Sequence, residues 1–277
     1  AVYHLYYLEK STFKTRILME AKTLLAINGL SVGYPDKVIL KDMLLHIPAK
    51  SIVAVLGLNG KGKSTFIRTL AGLQPALQGN ILFNERPLSS YTAIERAQLF
   101  SIVLPGRGDV VQGLLVHELF HTTRVTFTNG FGKITDDDIQ LINRICTSLH
   151  IEHLLHKRIY QLSDGEAQLV FIARALIQDT PIIFMDEPTS YLDVVNKAEI
   201  FNLIQSLPQQ NKTVVFTSHE LELALQIADY CLLIGNEGKH VFGTTKTIIE
   251  QGCIPDFFNS KNVQFDRITG RIKIKNA

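Results

Sequence analysis

The sequence has little cysteine, no tryptophan, no long apolar run and no excess of charge of either sign. Its 277 residues include three cysteines, Cys146, Cys231 and Cys253, widely spaced and without a C-x-x-C pair. An odd, scattered set excludes a disulfide framework and fits a reducing compartment, with buried, inert thiols as the plain reading. The longest uncharged apolar stretches, such as Ile52 to Leu58, fall far short of the roughly 18 residues that a membrane-spanning helix needs. Lys and Arg total 28 against 26 Asp and Glu, a net charge of +2. That balance argues against a dedicated nucleic-acid binder, which carries a strong basic excess, and leaves room only for a local basic patch. What is present is 46% hydrophobic residues, enough to bury a sizeable core, which excludes wholesale disorder. At about 150 residues per domain, the length allows one large domain or two small ones.

The first residues say little. Ala1 to Leu18 has a short apolar stretch, Tyr3 to Leu8, broken by His4 and followed by no small-residue cleavage site, so no secretory signal is read there. Met19-Glu20-Ala21-Lys22 reads as a more ordinary opening, and residues 1–21 are expected to be an extension outside the core.

From Leu24 the pattern becomes informative. Leu24 to Ile27 and Val38 to Leu40 are short β-like runs around a Gly33-Tyr34-Pro35-Asp36 turn signal. Ser51 to Leu56 is a continuous apolar run ending at Gly57, as expected of a strand buried on both faces. A helix over Lys63 to Leu70 and a strand over Ile81 to Phe83 follow. Residues 88–160 show helical spacing without strong β-runs, in Ala93 to Leu99, Val116 to His121 and Asp136 to Leu149. In the last, Thr135 is placed to cap, three aspartates favour the first turn, and Ile139, Ile142, Ile145 and Leu149 share one face. Alternation then returns: helices over Glu166 to Gln178, Lys197 to Leu207 and Leu221 to Ala228, and strands over Ile182 to Met185, Val214 to Phe216 and Cys231 to Ile234. This predicts an α/β architecture with a largely parallel sheet and an inserted helical region. Val263 to Ile274 reads as a hairpin turning at Thr269-Gly270.

Gly57-Leu58-Asn59-Gly60-Lys61-Gly62-Lys63-Ser64 fits G-x-x-x-x-G-K-[ST] between an expected strand and an expected helix, the context this phosphate-binding loop requires. The glycines let successive N–H groups turn inward onto phosphate oxygens, and the helix N-terminus adds its positive dipole end. Lys63 would reach the β- and γ-phosphates, and Ser64 would ligate Mg²⁺. Ile182-Ile183-Phe184-Met185 delivers Asp186 and Glu187 at a strand's C-terminal end, where open α/β sheets place their ligands. Asp186 would hold Mg²⁺, and Glu187 would polarise an attacking water. Alone, such a strand end reads better as a solvated acidic pair; beside the phosphate loop it reads as catalytic.

Together these stretches resemble an ABC-type ATPase, the nucleotide-binding subunit of an ABC transporter. Leu162-Ser163-Asp164-Gly165-Glu166 resembles the family signature, usually Leu-Ser-Gly-Gly-Gln. Ser190-Tyr191-Leu192-Asp193 is similar to the D-loop, and Thr217-Ser218-His219-Glu220 to the switch-histidine segment. Tyr34 sits where the family stacks an aromatic ring on adenine; a turn aromatic packed on the core is the alternative. The resemblance spans about residues 22–250. It implies a P-loop NTPase core with a small antiparallel β portion on its N-terminal side, a helical subdomain at about 88–160, and a tail from 251. It also implies binding of ATP and Mg²⁺, with Gly57, Asn59, Gly60, Gly62, Lys63, Ser64 and Thr65 on the nucleotide. Ser163, Gly165, Glu166 and Asp193 would face the nucleotide of a partner ATPase, identical or not, and His219 would contact the γ-phosphate and Glu187. The subunit would be peripheral on the cytoplasmic face of the inner (plasma) membrane, docked on transmembrane permease subunits and served indirectly by a substrate-binding protein. Nucleic acid is not an expected partner.

The order of motifs resembles the importer branch for iron–siderophore, haem or cobalamin, which makes driving such uptake the expected role. A non-transport ABC ATPase, for example in iron–sulfur assembly, and a degenerate nucleotide-sensing partner subunit are the alternatives. Some positions depart from the family. In Ser101-Ile102-Val103-Leu104-Pro105-Gly106 the residue after Pro, usually a Gln that helps orient water, is Gly106, with Gln98 and Gln112 out of register. Asp164 and Glu166 add negative charge to the signature, and Ala167-Gln168 stand where an Arg is usual. His121 to Thr126 replaces a Gly-Arg-x-Pro segment near the permease contact. Normal ATP binding with slow hydrolysis is expected. Val116, Leu119 and Phe120 form either a permease-docking patch or ordinary helix packing.

Overall fold

The computed structural model describes residues 22–106, 111–127, 134–258, 263–266 and 271–274. The N-terminal extension expected at 1–21 lies outside the described residues apart from its boundary with Lys22.

Two sheets build the body. The first is antiparallel, in the order β2-β1-β4-β5, from β1 (Thr23–Tyr34), β2 (Lys37–Pro48), β4 (Gln78–Phe83) and β5 (Arg86–Pro87). The two short runs expected here are 12-residue strands, extended through several register shifts that interrupt the alternation a sequence reading relies on. The second sheet has the order β10-β9-β3-β8-β7-β6. Its strands are β3 (Ile52–Gly57), β6 (Phe100–Val103), β7 (Ile182–Met185), β8 (Thr213–Ser218), β9 (Tyr230–Ile234) and β10 (His240–Thr244). All neighbours in it pair parallel except β9 with β10.

Each central strand is buried on both faces, and its residues alternate between two cores. Val53, Val55, Ile182, Phe184 and Val215 point into the core shared with the antiparallel sheet and with α1 (Lys63–Leu70), which contributes Phe66, Ile67 and Leu70. Ile52, Ala54, Leu56, Ile183, Met185, Val214 and Phe216 point into the opposite core. That core is covered by α5 (Asp164–Ile177), α6 (Val194–Ser206) and α7 (Leu221–Ile227).

The region 88–160 is not helical throughout. After α2 (Ala93–Leu99), whose Thr92 and Glu95 form a reciprocal cap, Phe100–Val103 joins the parallel sheet as an edge strand beside β7. The helical part proper holds α3 (Val116–Arg124) and α4 (Asp136–Ser148), both against α5. Thr135 caps α4 as expected, with Asp138 closing the box. Ile142, Ile145 and Leu149 are buried, whereas Ile139 is 44% exposed and falls off that face. Val116, Leu119 and Phe120 are at most 2% exposed, so they pack the interior and form no docking patch. Cys146 and Cys231 are buried, and burial pushes both thiols up to about 11, which leaves them protonated and inert at neutral pH. Beyond β10 lie α8 (Thr245–Glu250), α9 (Ile254–Phe258) and a β11 (Val263–Asp266)–β12 (Arg271–Ile274) hairpin; its expected turn at Thr269-Gly270 lies outside the described residues.

Candidate active site

The site grows from the C-terminal ends of β3, β7 and β8. β3 ends at Gly57, where a Cβ would stand 2.3 Å from the Ile234 carbonyl oxygen on the neighbouring strand, so only glycine lets the chain leave the sheet here. The loop turns through Gly60 and reaches α1 at Gly62, whose φ of +98° and 2.4 Å approach of an added Cβ to Ile39 again require glycine. Gly62 offers no side-chain cap, which leaves the first-turn N–H groups of α1 directed at the space above the loop. Leu58, Asn59 and Gly60 are exposed at its rim, while Thr65 is buried within α1.

Lys63 is 4% exposed, and its Nζ donates to the carbonyls of Gly57 at 2.9 Å and Leu58 at 3.3 Å. Burial pushes this ammonium below its usual pKa, and the Glu187 and Asp186 carboxylates oppose that shift. The charge thus lies within the loop, facing the carboxylates across the place where phosphates would enter.

Strand register supplies the acidic side. Met185 pairs with Phe216, which puts Asp186 alongside Thr217, both on the α1 side of the sheet. Asp186 is fully buried; its Oδ1 accepts from Ser64 Oγ at 3.0 Å and from Thr217 Oγ1 at 2.7 Å. Asp186 Oδ2 is buried with no hydrogen-bond partner among the described residues. An orphaned carboxylate oxygen beside a serine hydroxyl is a hard-oxygen donor set of the kind Mg²⁺ takes, so the residues present fit that ion.

Glu187 follows with φ +53°, a left-handed conformation that swings its side chain away from Asp186. Its N–H donates to Thr217 Oγ1 at 2.8 Å. Its Oε1 pairs with His219 Nε2, and its Oε2 accepts from Ser190 Oγ at 3.3 Å. The structure therefore brings Lys63, Ser64, Asp186, Glu187 and His219 into one cluster. Thr217 completes it: this fully buried hydroxyl holds Asp186 and the backbone of Glu187 at once. Reading the sequence named Thr217 only as part of the histidine segment; its role depends on β7–β8 register, which no local motif encodes.

Ser163, Gly165 and Glu166 form a second group at the start of α5. Ser163 is its N-cap, and Ser163 and Glu166 cap each other reciprocally. Lys157 Nζ binds Glu166 at 2.9 Å, and hydrogen bonds from Lys157 and the Ser163 backbone hold the Glu166 carboxyl down at about 2. Its charge is thus neutralised within the chain rather than added to the helix end. A Cβ at Gly165 would lie 3.3 Å from the Tyr191 carbonyl, so α5 begins against the 190–193 loop. Gln168, in the Ala167-Gln168 pair just after the signature, is 3% exposed and donates to the Pro188 carbonyl at 3.0 Å. It ties the signature helix to the carboxylate loop. Asp193 caps α6, accepting from Asn196 N–H at 2.8 Å. Tyr34 is 51% exposed at the β1–β2 turn, so it is not packed on the core. Gly106 has φ +92°, and among the described residues nothing lies within 4 Å of an added Cβ. Arg124, in the segment that departs from Gly-Arg-x-Pro, turns inward: Nε meets Asp138 Oδ1 at 2.6 Å and Nη1 donates to the Ile177 carbonyl at 3.1 Å.

Comparison with known proteins agrees with this geometry. The ABC transporter family model matches residues 40–190. An uncharacterised ABC transporter ATP-binding protein of Methanocaldococcus jannaschii is 31% identical over 91% of this chain and 87% of its own length. The siderophore transport system ATP-binding protein YusV of Bacillus subtilis is 32% identical over 83% and 84%. The iron(3+)-hydroxamate import ATP-binding protein FhuC of the same organism is 32% identical over 76% and 78%. Among solved structures, an inward-facing metal-chelate type ABC transporter superposes with a TM-score of 0.71 at 29% identity, covering 85% of this chain and 89% of that one. These matches show that the chain belongs to the ABC transporter family, as an ATP-binding subunit with ATPase activity.

Proposed function

We propose that this subunit hydrolyses ATP to drive import of iron–siderophore-type metal chelates. Of the solutes expected from the sequence, this class has the support of the names carried by similar chains, siderophore and iron(3+)-hydroxamate transport among them. The observation that carries the enzymatic half is the Glu187–His219 pair beside Lys63 and the buried Asp186.

The loop amides of 57–64 and the α1 N-terminus bind the phosphates, and Lys63 exchanges its two carbonyl partners for β- and γ-phosphate oxygens. Ser64 and Asp186 would hold Mg²⁺, which when bound supplies charge neutralisation on the phosphates. Glu187 orients the attacking water, and His219 fixes the Glu187 carboxylate while reaching for the γ-phosphate. Catalysis is positioning and charge stabilisation. Ser163 and Gly165, with the α5 N-terminus, complete the site of a second ATPase, so dimerisation is ATP-linked. Opening and closing of that pair moves permease subunits at the cytoplasmic face of the membrane. The exposed surface of α3 is polar, with His121 and Thr122, so apolar residues of this helix do not make the permease contact. Gly106, without a side chain to orient water, favours slow turnover of the isolated subunit, and is what keeps a nucleotide-sensing partner role as the second reading.

The test is reconstitution of the chain with its permease and binding protein in vesicles, with uptake of labelled ferric hydroxamate as the readout. ATP-dependent uptake that disappears with Glu187→Gln is expected. Stimulation of ATP turnover by an unrelated solute, and none by ferric chelates, would overturn the solute assignment.

A further inference from the structure

The histidine of the catalytic pair is held from outside the site. Glu220, next to His219, is the centre of an inverse γ-turn, with φ −88°, ψ 76° and Leu221 N–H donating to the His219 carbonyl at 3.1 Å. Its own N–H donates to Ser218 Oγ at 2.9 Å. The His219 side chain is 41% exposed, so its pair with Glu187 rather than packing holds the ring. The Glu220 carboxylate leaves the turn and forms an ion pair with Lys197 Nζ; the two side chains are 26% and 30% exposed. Lys197 lies in the first turn of α6, the helix capped by Asp193.

The 190–193 loop and the first turn of α6 that follows it therefore hold the catalytic pair from both sides. Ser190 holds Glu187 directly. Lys197, at the far end of the same loop and its helix, holds Glu220 beside His219. These contacts, joined by the chain from Ser190 to Asp193 and from His219 to Glu220, form a closed path: Glu187 to Ser190, Asp193 to Lys197, Lys197 to Glu220, and His219 back to Glu187. We propose that Lys197 and Glu220 are positioning residues for ATP hydrolysis, making the placement of His219 against Glu187 depend on where the 190–193 loop sits. Neither touches Glu187 or the phosphate loop, so their effect is on geometry. A half-exposed ion pair adds little stability, but misplacing a catalytic group by about 1 Å costs up to about a hundredfold in rate. The inference rests on the assignment of Glu187 and His219 above.

The experiment compares Lys197→Ala, Glu220→Gln, the double variant and Lys197→Arg in the full chain. It measures kcat and KM for Mg²⁺-ATP, affinity for a fluorescent ATP analogue, and melting temperature. Each single loss is expected to lower kcat roughly ten- to a hundredfold with KM and nucleotide affinity within about twofold. The double variant should be no slower than the slower single, because both remove one interaction. Lys197→Arg should recover most of kcat, and all variants should melt close to the parent chain. Parental kcat in the single variants, additive losses, an effect on KM alone, or Arg no better than Ala would each overturn the proposal. Glu187→Gln is run alongside. If it is inactive while Lys197→Ala is normal, the clamp alone fails; if Glu187→Gln keeps full turnover, the underlying assignment fails and takes the clamp with it.

Discussion

Replacing Thr217 by Val tests whether one hydroxyl holds the acidic half of the site. Val has nearly the same shape, so at a position with 0% exposure it opens no cavity. It removes the 2.8 Å acceptor of the Glu187 N–H and the 2.7 Å donor to Asp186 Oδ1. An unpaired buried N–H costs about 1–3 kcal/mol, and a lost hydrogen bond to a charge about as much again. Ser64 still donates to Asp186 Oδ1, which limits the second loss. The sum is roughly 2–4 kcal/mol, and at about 2–4 °C per kcal/mol for a chain near this size the melting temperature should fall by roughly 5–15 °C. Turnover should fall as well, because the left-handed backbone at Glu187 loses its anchor. Thr217→Ser keeps both bonds, loses one methyl, and should cost only about 1 kcal/mol. Thermal melts and Mg²⁺-ATP turnover of the two variants side by side decide the matter. Thr217→Val as stable as Thr217→Ser would refute the reasoning.

Gly106→Gln should raise turnover by restoring an amide after Pro105; no described residue crowds the new side chain's Cβ, and φ +92° makes it cost about 1–3 kcal/mol in stability. Unchanged turnover would show that the missing side chain does not limit the rate. Glu166 has a depressed pKa, so its stabilisation is complete above the ordinary value near 4.5 and is lost as pH falls through about 2. The melting-temperature gap between the parent chain and Glu166→Gln should be constant near neutrality and narrow below about pH 4.5; a pH-independent gap would contradict the Lys157–Ser163 cradle. Arg124→Ala leaves Asp138 buried without its cation and frees the Ile177 carbonyl, and should cost about 3 kcal/mol with ATP affinity unchanged. An unaltered melt would show that the pair does not anchor the helical region.

What was legible in the sequence was what is local along the chain. The phosphate loop is eight consecutive residues, and the strand before it and the helix after it are part of the same signal. Asp186 and Glu187 follow a four-residue apolar run for the same reason. Contacts made by register or by helix packing were not legible. Thr217 reaches Asp186 only because β7 and β8 pair as they do, and Gln168 reaches Pro188 only because α5 crosses under that loop. Phe100–Val103 lay hidden between helices, since four residues, three of them apolar around Ser101, are too few to tell a buried strand from a helix turn. Val116, Leu119 and Phe120 showed an apolar face, but nothing in their spacing said that α5 covers it; the structure buries all three. Glu166 looked like added charge near a partner's phosphates because Lys157, which neutralises it, lies in the loop before the signature rather than within it.

The central claim is that Glu187, held by Thr217, Ser190 and His219, directs the water that attacks ATP. The most direct measurement is Mg²⁺-ATP turnover of the purified chain beside Glu187→Gln, with ATP-dependent dimerisation followed on the same samples. A working site predicts turnover in the parent chain and a loss of at least about a hundredfold in Glu187→Gln, with ATP still bound and the dimer longer-lived. Turnover of Glu187→Gln within a few-fold of the parent chain would contradict it.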